Sequence, residues 1–167
     1  MQDPEDNDII AAKVRQQARA VALRFMSQTA RSCRQVITRL ENEGFPAEIV
    51  ESVISEFQSN GAINDNELVR RWVVDRAARK QYGTRRLLRE LRAHGVSREV
   101  AGDALTQLNP ETEVQHAQTA VLRRWSEQSL RELSPSERQR ELNRCAAFLM
   151  RRGYSHEVIR QVLNALT

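Results

Sequence analysis

A step built around glycine recurs three times along this 167-residue chain and constrains its fold more than any other feature. In each copy a leucine lies four positions before the glycine, an apolar residue follows the glycine, and a glutamate and two more apolar residues come next. The leucine and glycine pairs are Leu40 and Gly44, Leu91 and Gly95, and Leu149 and Gly153. A recurring helical unit predicts a modular protein, and modular helical proteins typically bind large partners.

The residues around each glycine predict the end of one helix and the start of the next. Each glycine follows an amphipathic stretch, at a point where a terminating helix needs a residue with positive φ. Two residues later come Pro46, Ser97 and Ser155, which are residue types that favour a helix start. Apolar residues recur at helical spacing on both sides, so each helix must bury one stripe against other helices.

These patterns predict an all-α fold of three tandem three-helix repeats that resemble helix–turn–helix units, because strand signals are weak throughout. The glycine steps of 51 and 58 residues are unequal, which favours similar bundles with variable connections over a strict solenoid. We expect an acidic, disordered N-terminus at 1–8 and repeats at 9–60, 61–109 and 110–167. The expected helices span 9–29, 32–43, 47–59, 65–81, 84–94, 98–107, 111–131, 136–152 and 156–166.

Composition and motifs argue against several classes of protein. Aromatic residues make up only 5% of the chain, so the cores should be small and aliphatic. We expect no membrane association and a cytoplasmic location, since no apolar run has spanning length and no signal peptide is visible. Cys33 and Cys145 are expected to be buried free thiols. No metal-ligand spacing, phosphate loop or nucleophile motif is present, so we expect no cofactor, no metal and no enzymatic activity.

The positive charge is concentrated in the middle repeat. The whole chain has a formal net charge of +4, but the segment 70–98 holds ten basic and two acidic residues and is net +8. On a helical wheel for 84–94, Leu87 and Leu91 share one side while arginines line another. The residues that we predict to contact a partner are Arg76, Arg79, Lys80, Arg85, Arg86, Arg89 and Arg92. In the turn between their two helices, Gly83 is the expected C-cap and Thr84 the expected N-cap.

Three interpretations of this basic segment remain open. The arginines could contact a polyanion or an acidic protein, since the planar guanidinium suits phosphates and carboxylates. They could instead form a solvated surface that only covers apolar neighbours. A stand-alone DNA-binding module is the third, because helix–turn–helix proteins also place two helices around a glycine turn.

The middle and last repeats resemble the RecX family, cytoplasmic regulators of the bacterial RecA recombinase. The middle repeat carries an acidic helix start at Asp65, then the run 75–97 with its Arg-x-x-Arg-Lys-x-x-Gly step at 76–83, a basic helix and the Gly95-Val96 pair. The last repeat carries the similar run 148–154. The resemblance covers about 15–167. The family's Leu-Asp-Asp step is replaced by Ile63-Asn64-Asp65, and Leu68 stands where an aromatic residue is common.

The resemblance implies an elongated, curved array of three-helix repeats that acts as a monomer. It implies a RecA–DNA filament as partner, with binding in the helical groove of the filament and inhibition of ATP hydrolysis, strand exchange and repressor cleavage. Contact with DNA, single- or double-stranded, would be weak or indirect. Groove binding and capping of filament ends remain alternatives, and the basic segment could meet either RecA or the phosphates of bound DNA.

Overall fold

The computed structural model describes residues 4–166, which form ten helices and no strand. Nine helices were expected, and the tenth comes from a break in the third repeat. The helices are α1 (Pro4–Gln28), α2 (Cys33–Asn42), α3 (Ala47–Ser59), α4 (Asp65–Lys80), α5 (Thr84–Ala93), α6 (Arg98–Thr106), α7 (Pro110–Leu122), α8 (Glu127–Arg131), α9 (Pro135–Arg151) and α10 (His156–Asn164). We call α1–α3 the first repeat, α4–α6 the second and α7–α10 the third.

The chain forms two compact units, and the first contains the described residues up to Leu68 together with His94–Val96. Helices α1, α2 and α3 all pack on one another there. The buried residues of their shared core are aliphatic apart from one phenylalanine, and two half-buried phenylalanines pack against them. The buried residues are Ala18, Ala22, Val36, Leu40, Val50, Val53, Ile54, Phe57 and Ile63.

The second unit contains Val69–Ala93 and the described residues from Ser97 onward. In the second repeat, α5 packs on α6, and the buried side chains include Val69, Val73, Ala77, Leu87, Leu91 and Ala101. In the third repeat, α10 packs on both α7 and α9. That core includes Ala117, Val121, Leu130, Leu142, Cys145, Leu149, Tyr154, Ile159 and Val162.

The repeat glycines adopt the predicted backbone conformation. Gly44, Gly95 and Gly153 have φ of +82°, +76° and +87°, which is the left-handed region. Ser97 and Ser155 then cap α6 and α10 by accepting the amide N–H three residues on, whereas Pro46 precedes α3 without a side-chain cap. The predicted pattern, in which one helix ends at the glycine and the next begins shortly after it, is therefore confirmed at all three positions.

Two helix boundaries differ from the sequence prediction. Helix α1 begins at Pro4, before the predicted start at residue 9. The segment 1–8, which the sequence predicts to be an acidic, disordered N-terminus, overlaps the start of this helix, and its residues 1–3 lie outside the described part. The helix expected at 111–131 is broken, since α7 ends at Leu122 and Ser126 caps α8 by accepting the Ser129 N–H. The break lets Leu130 enter the third-repeat core.

Both cysteines are free thiols; Cys145 is buried and Cys33 half-buried. Burial raises the pKa of the Cys145 thiol to about 11, and the nearby Glu141 carboxylate adds to that shift. Within 4–166 no helix combines the length and apolar content needed to cross a bilayer.

One ion-pair cluster in the first unit has a testable pH dependence. Glu56 accepts from Arg15 and Arg19, each at 2.8 Å, and the hydrogen bond from Arg19 holds the pKa of Glu56 below its ordinary value of 4.5. A lowered pKa stabilises the fold above the ordinary pKa, and this contribution disappears as pH falls through the folded value. We expect Glu56→Gln to unfold more readily than the parent chain at pH 7, with the difference vanishing in acid.

Unfolding by denaturant at pH 7 and at pH 3 measures this effect. Glu51→Gln is the matched control, because Glu51 is an exposed glutamate of the same helix α3 for which the structure gives no ion pair. A destabilisation by Glu56→Gln that is equal at both pH values would contradict the assignment.

Candidate functional site

Helix α5 places three of the predicted contact residues in one exposed row. Arg85, Arg89 and Arg92 are all exposed, and their spacing of four and three residues keeps them on one side of the helix. Leu87 and Leu91 are buried on the other side. No acidic side chain among the described residues forms an ion pair with any of the three, which we call the α5 arginine row.

The other four predicted contact residues differ in how exposed their side chains are. Lys80 is exposed, and Arg79 is 81% exposed although its Nε lies 2.6 Å from Asp75 Oδ1. A surface ion pair of this kind contributes little stability, so Arg79 stays accessible to a partner. Arg76 is half-buried with its guanidinium 5.2 Å from the centre of the Trp72 ring. The structure therefore leaves Arg79 and Lys80 exposed, as it does the α5 arginine row, and packs Arg76 on its own helix.

Arg86 is occupied by contacts within the second unit. Its Nε donates to Glu90 at 3.0 Å, and its guanidinium lies 3.8 Å from the centre of the Tyr82 ring. Its backbone and Cβ lie against Gly153 of the third repeat. These contacts favour a packing role for Arg86 over direct contact with a partner.

The turn between α4 and α5 differs from the sequence prediction. Gln81, not Gly83, adopts the left-handed conformation that ends α4, with φ of +47°. Gln81 is buried, and its side-chain carbonyl accepts from Arg123 at 3.0 Å, which holds the residue in this conformation. Gly83 is required for space instead, since an added Cβ would lie 2.5 Å from the Gly153 backbone.

The third repeat holds the start of α5 through several hydrogen bonds. The Gly83 N–H donates to the Arg152 carbonyl at 2.9 Å, and the Arg85 N–H donates to the Gly153 carbonyl at 3.1 Å. Thr84 is the first residue of α5 rather than its cap, and its N–H and hydroxyl both donate to Glu113 Oε1, at 2.9 and 2.5 Å. The basic helix is thus fixed to the third repeat at its first turn.

Tyr154 directly follows Gly153 in the chain, and its side chain is buried, with only 1% of its surface exposed. Burial raises the pKa of its phenol well above the ordinary value of 10, and the Glu113 carboxylate adds to the rise while Arg152 opposes it. The phenol therefore stays neutral at physiological pH, and the ring packs in the core of the third repeat.

Arg152 is the residue that the sequence reasoning missed. Its guanidinium donates to the carbonyls of Lys80 and Gln81, the second at 3.3 Å, and lies 4.8 Å from the centre of the Phe148 ring. Its position directly before the repeat glycine was visible in the sequence. Its partners are about 70 positions away, and no local pattern indicates them.

The arrangement of exposed arginines is suited to binding a partner of opposite charge. Within 4–166 no group of three or more histidine, cysteine or acidic side chains could hold a metal ion. Exposed guanidinium groups without acidic partners can form paired hydrogen bonds with carboxylates or phosphates. The geometry therefore offers an exposed cationic side of α5.

Comparison with known proteins matches all three repeats to one family. The models of the first, second and third three-helix domains of RecX match residues 18–57, 64–105 and 111–163. The regulatory protein RecX of Streptomyces coelicolor is 36% identical over 152 residues, which cover 89% of this chain and 78% of that protein. The one from Mycobacterium leprae is 31% identical over 150 residues, with coverage of 90% and 85%.

Solved structures agree in fold. The crystal structure of RecX from Lactobacillus salivarius superposes with a TM-score of 0.83, covering 93% of this chain and 97% of that one, at 18% identity. A second crystal structure, of a regulatory protein RecX, has a TM-score of 0.78 at 20% identity and covers 98% and 78%. Since three domain models and relatives above 30% identity span most of the sequence, this chain belongs to the RecX family of regulatory proteins.

Proposed function

We propose that this protein binds the RecA–DNA filament and inhibits the activities of the recombinase. The observation that carries the proposal is an exposed arginine row without acidic partners among the described residues. The row lies on the second repeat, which matches the model of the second three-helix domain of RecX, a family of RecA regulators. Inhibition would extend to ATP hydrolysis, strand exchange and repressor cleavage, and so to DNA repair and the SOS response.

The contact residues in this proposal are the α5 arginine row together with Arg79 and Lys80. The row rises about 10 Å along the helix at 1.5 Å per residue, enough to contact several charged groups of a partner. Acidic side chains of RecA and phosphates of bound DNA both fit guanidinium groups. Binding in the groove of the filament, by a monomer in the cytoplasm, is part of the proposal.

An ATPase assay on preformed RecA–DNA filaments, with and without the protein, tests this function. We expect the rate of ATP hydrolysis to fall as the protein is added. Inhibition only near saturation of the filament would support groove binding, whereas inhibition far below stoichiometric amounts would support action at filament ends. An unchanged rate at saturating protein would overturn the proposal.

Direct binding to DNA is the competing outcome and has a separate measurement. A stand-alone DNA-binding module would bind DNA without RecA, and its affinity would fall steeply with salt concentration because phosphate contacts release counterions. Titration of the protein with DNA alone at two salt concentrations, beside the same titration with filaments, separates the two functions. We expect the filament to bind more tightly than the DNA alone.

A further inference from the structure

The start of the basic helix α5 is defined by the third repeat more than by its own sequence. Four hydrogen bonds join the segment 83–85 to the third repeat, two to carbonyls at Arg152 and Gly153 and two to Glu113. Because the Arg85 amide is one of the donors, the first residue of the α5 arginine row is itself attached at its backbone.

The Arg152 side chain completes the attachment by covering the end of α4. The last carbonyls of a helix have no partner within the helix, and a cation there also complements the negative end of the helix dipole. Arg152 supplies the missing hydrogen-bond partner and the positive charge, since its guanidinium donates to the carbonyls of Lys80 and Gln81. Its guanidinium also lies near two rings, Phe148 at 4.8 Å and Tyr82 at 5.9 Å.

We propose that Arg152 is a positioning residue that sets the direction of the α5 arginine row, a role that rests on the proposed function. The turn 81–83 joins α4 to α5, and its direction depends on the left-handed Gln81, whose carbonyl accepts from Arg152. Arg92 lies seven residues, or about 10 Å, beyond Arg85, so a change of angle at the turn displaces Arg92 far more than Arg85. The second and third repeats therefore act as one element in binding.

Replacing Arg152 with glutamine tests the proposal. Glutamine cannot reach the same carbonyls or cover the rings, so we expect faster hydrogen exchange at the Gly83 and Arg85 amides. We also expect the concentration for half-inhibition of the filament ATPase to rise about tenfold, the equivalent of one lost charge-assisted contact. Arg151→Gln is the matched control: Arg151 is an exposed neighbour, carries the same charge and should change neither readout by more than about twofold.

Two further variants separate positioning from a loss of stability or of charge. Arg152→Lys keeps a cationic donor group for the α4 carbonyls and should recover most of the inhibition. In a chain that already carries Arg92→Gln, Arg152→Gln should add less than its effect alone, because both changes act on the same contact. Equal effects of the Arg151 and Arg152 variants, or full additivity with Arg92→Gln, would overturn the proposal.

The exchange measurement keeps this inference distinct from the proposed function. If the parent protein does not inhibit the filament, the proposed function fails and the role of Arg152 in binding fails with it, even where exchange at Gly83 and Arg85 depends on Arg152. If the parent protein inhibits but exchange at these amides is the same in the Arg152→Gln variant, only the positioning role is refuted.

Discussion

Replacing Arg85, Arg89 and Arg92 together with glutamate is expected to abolish inhibition of the RecA–DNA filament. The three substitutions lower the formal net charge by six, from +4 to −2, and put like charges opposite any acidic or phosphate-bearing partner. Loss of three charge contacts plus repulsion should raise the concentration for half-inhibition by at least about 100-fold. The ATPase titration on preformed filaments measures the change.

The fold should survive this triple substitution, because the three side chains are exposed and form no ion pair within the described residues. Circular dichroism should show unchanged helicity. The matched control reverses Arg24, Arg140 and Arg151, three other exposed arginines for which the structure gives no ion pair. Equal loss of inhibition in both triple variants would assign the effect to net charge, and undiminished inhibition in the first would refute the placement of the contact surface on α5.

Gly153→Ala is expected to be strongly destabilising. Its φ of +87° strains any residue with a Cβ, at a cost of about 1–2 kcal/mol. The added Cβ would also overlap the Arg86 amide nitrogen and lie 2.5 Å from Arg86 Cβ, so α5 must shift, which costs about 1–3 kcal/mol more. Denaturant unfolding should therefore show that the free energy of unfolding falls by about 3 kcal/mol.

Gly44→Ala is the matched control for that substitution. Gly44 has nearly the same φ, +82°, but an added Cβ would meet no heavy atom within 4 Å. Only the cost of the strained backbone applies at Gly44, so we expect the free energy of unfolding to fall by about 1 kcal/mol. Equal losses at the two glycines would show that close packing between the second and third repeats contributes nothing measurable. Gly153→Ala should also weaken filament inhibition, since the Arg85 amide bonds to the Gly153 carbonyl.

Most of the helical architecture was predictable because its signals are local. The left-handed glycines, the serine caps of α6 and α10, and the apolar stripes each depend on a few neighbouring residues, and the structure confirms them. The prediction of one continuous helix over 111–131 was wrong, because the central residues of that range are individually compatible with a helix and give no signal of a break. Packing decided otherwise, since the cap at Ser126 and the turn before it let Leu130 reach the core and Trp125 pack on Phe148.

The proposed contact surface was predictable from the sequence only in part. The sequence alone determined three repeats, an all-helical chain and a cationic side of α5, because periodicity and charge are properties of neighbouring residues. Which cations stay unpaired, why Gln81 and not Gly83 turns the chain, and how Arg152 covers the end of α4 were decided by the tertiary structure. Those features join residues up to 72 positions apart, and only the packing of the helices brings such residues within hydrogen-bonding distance.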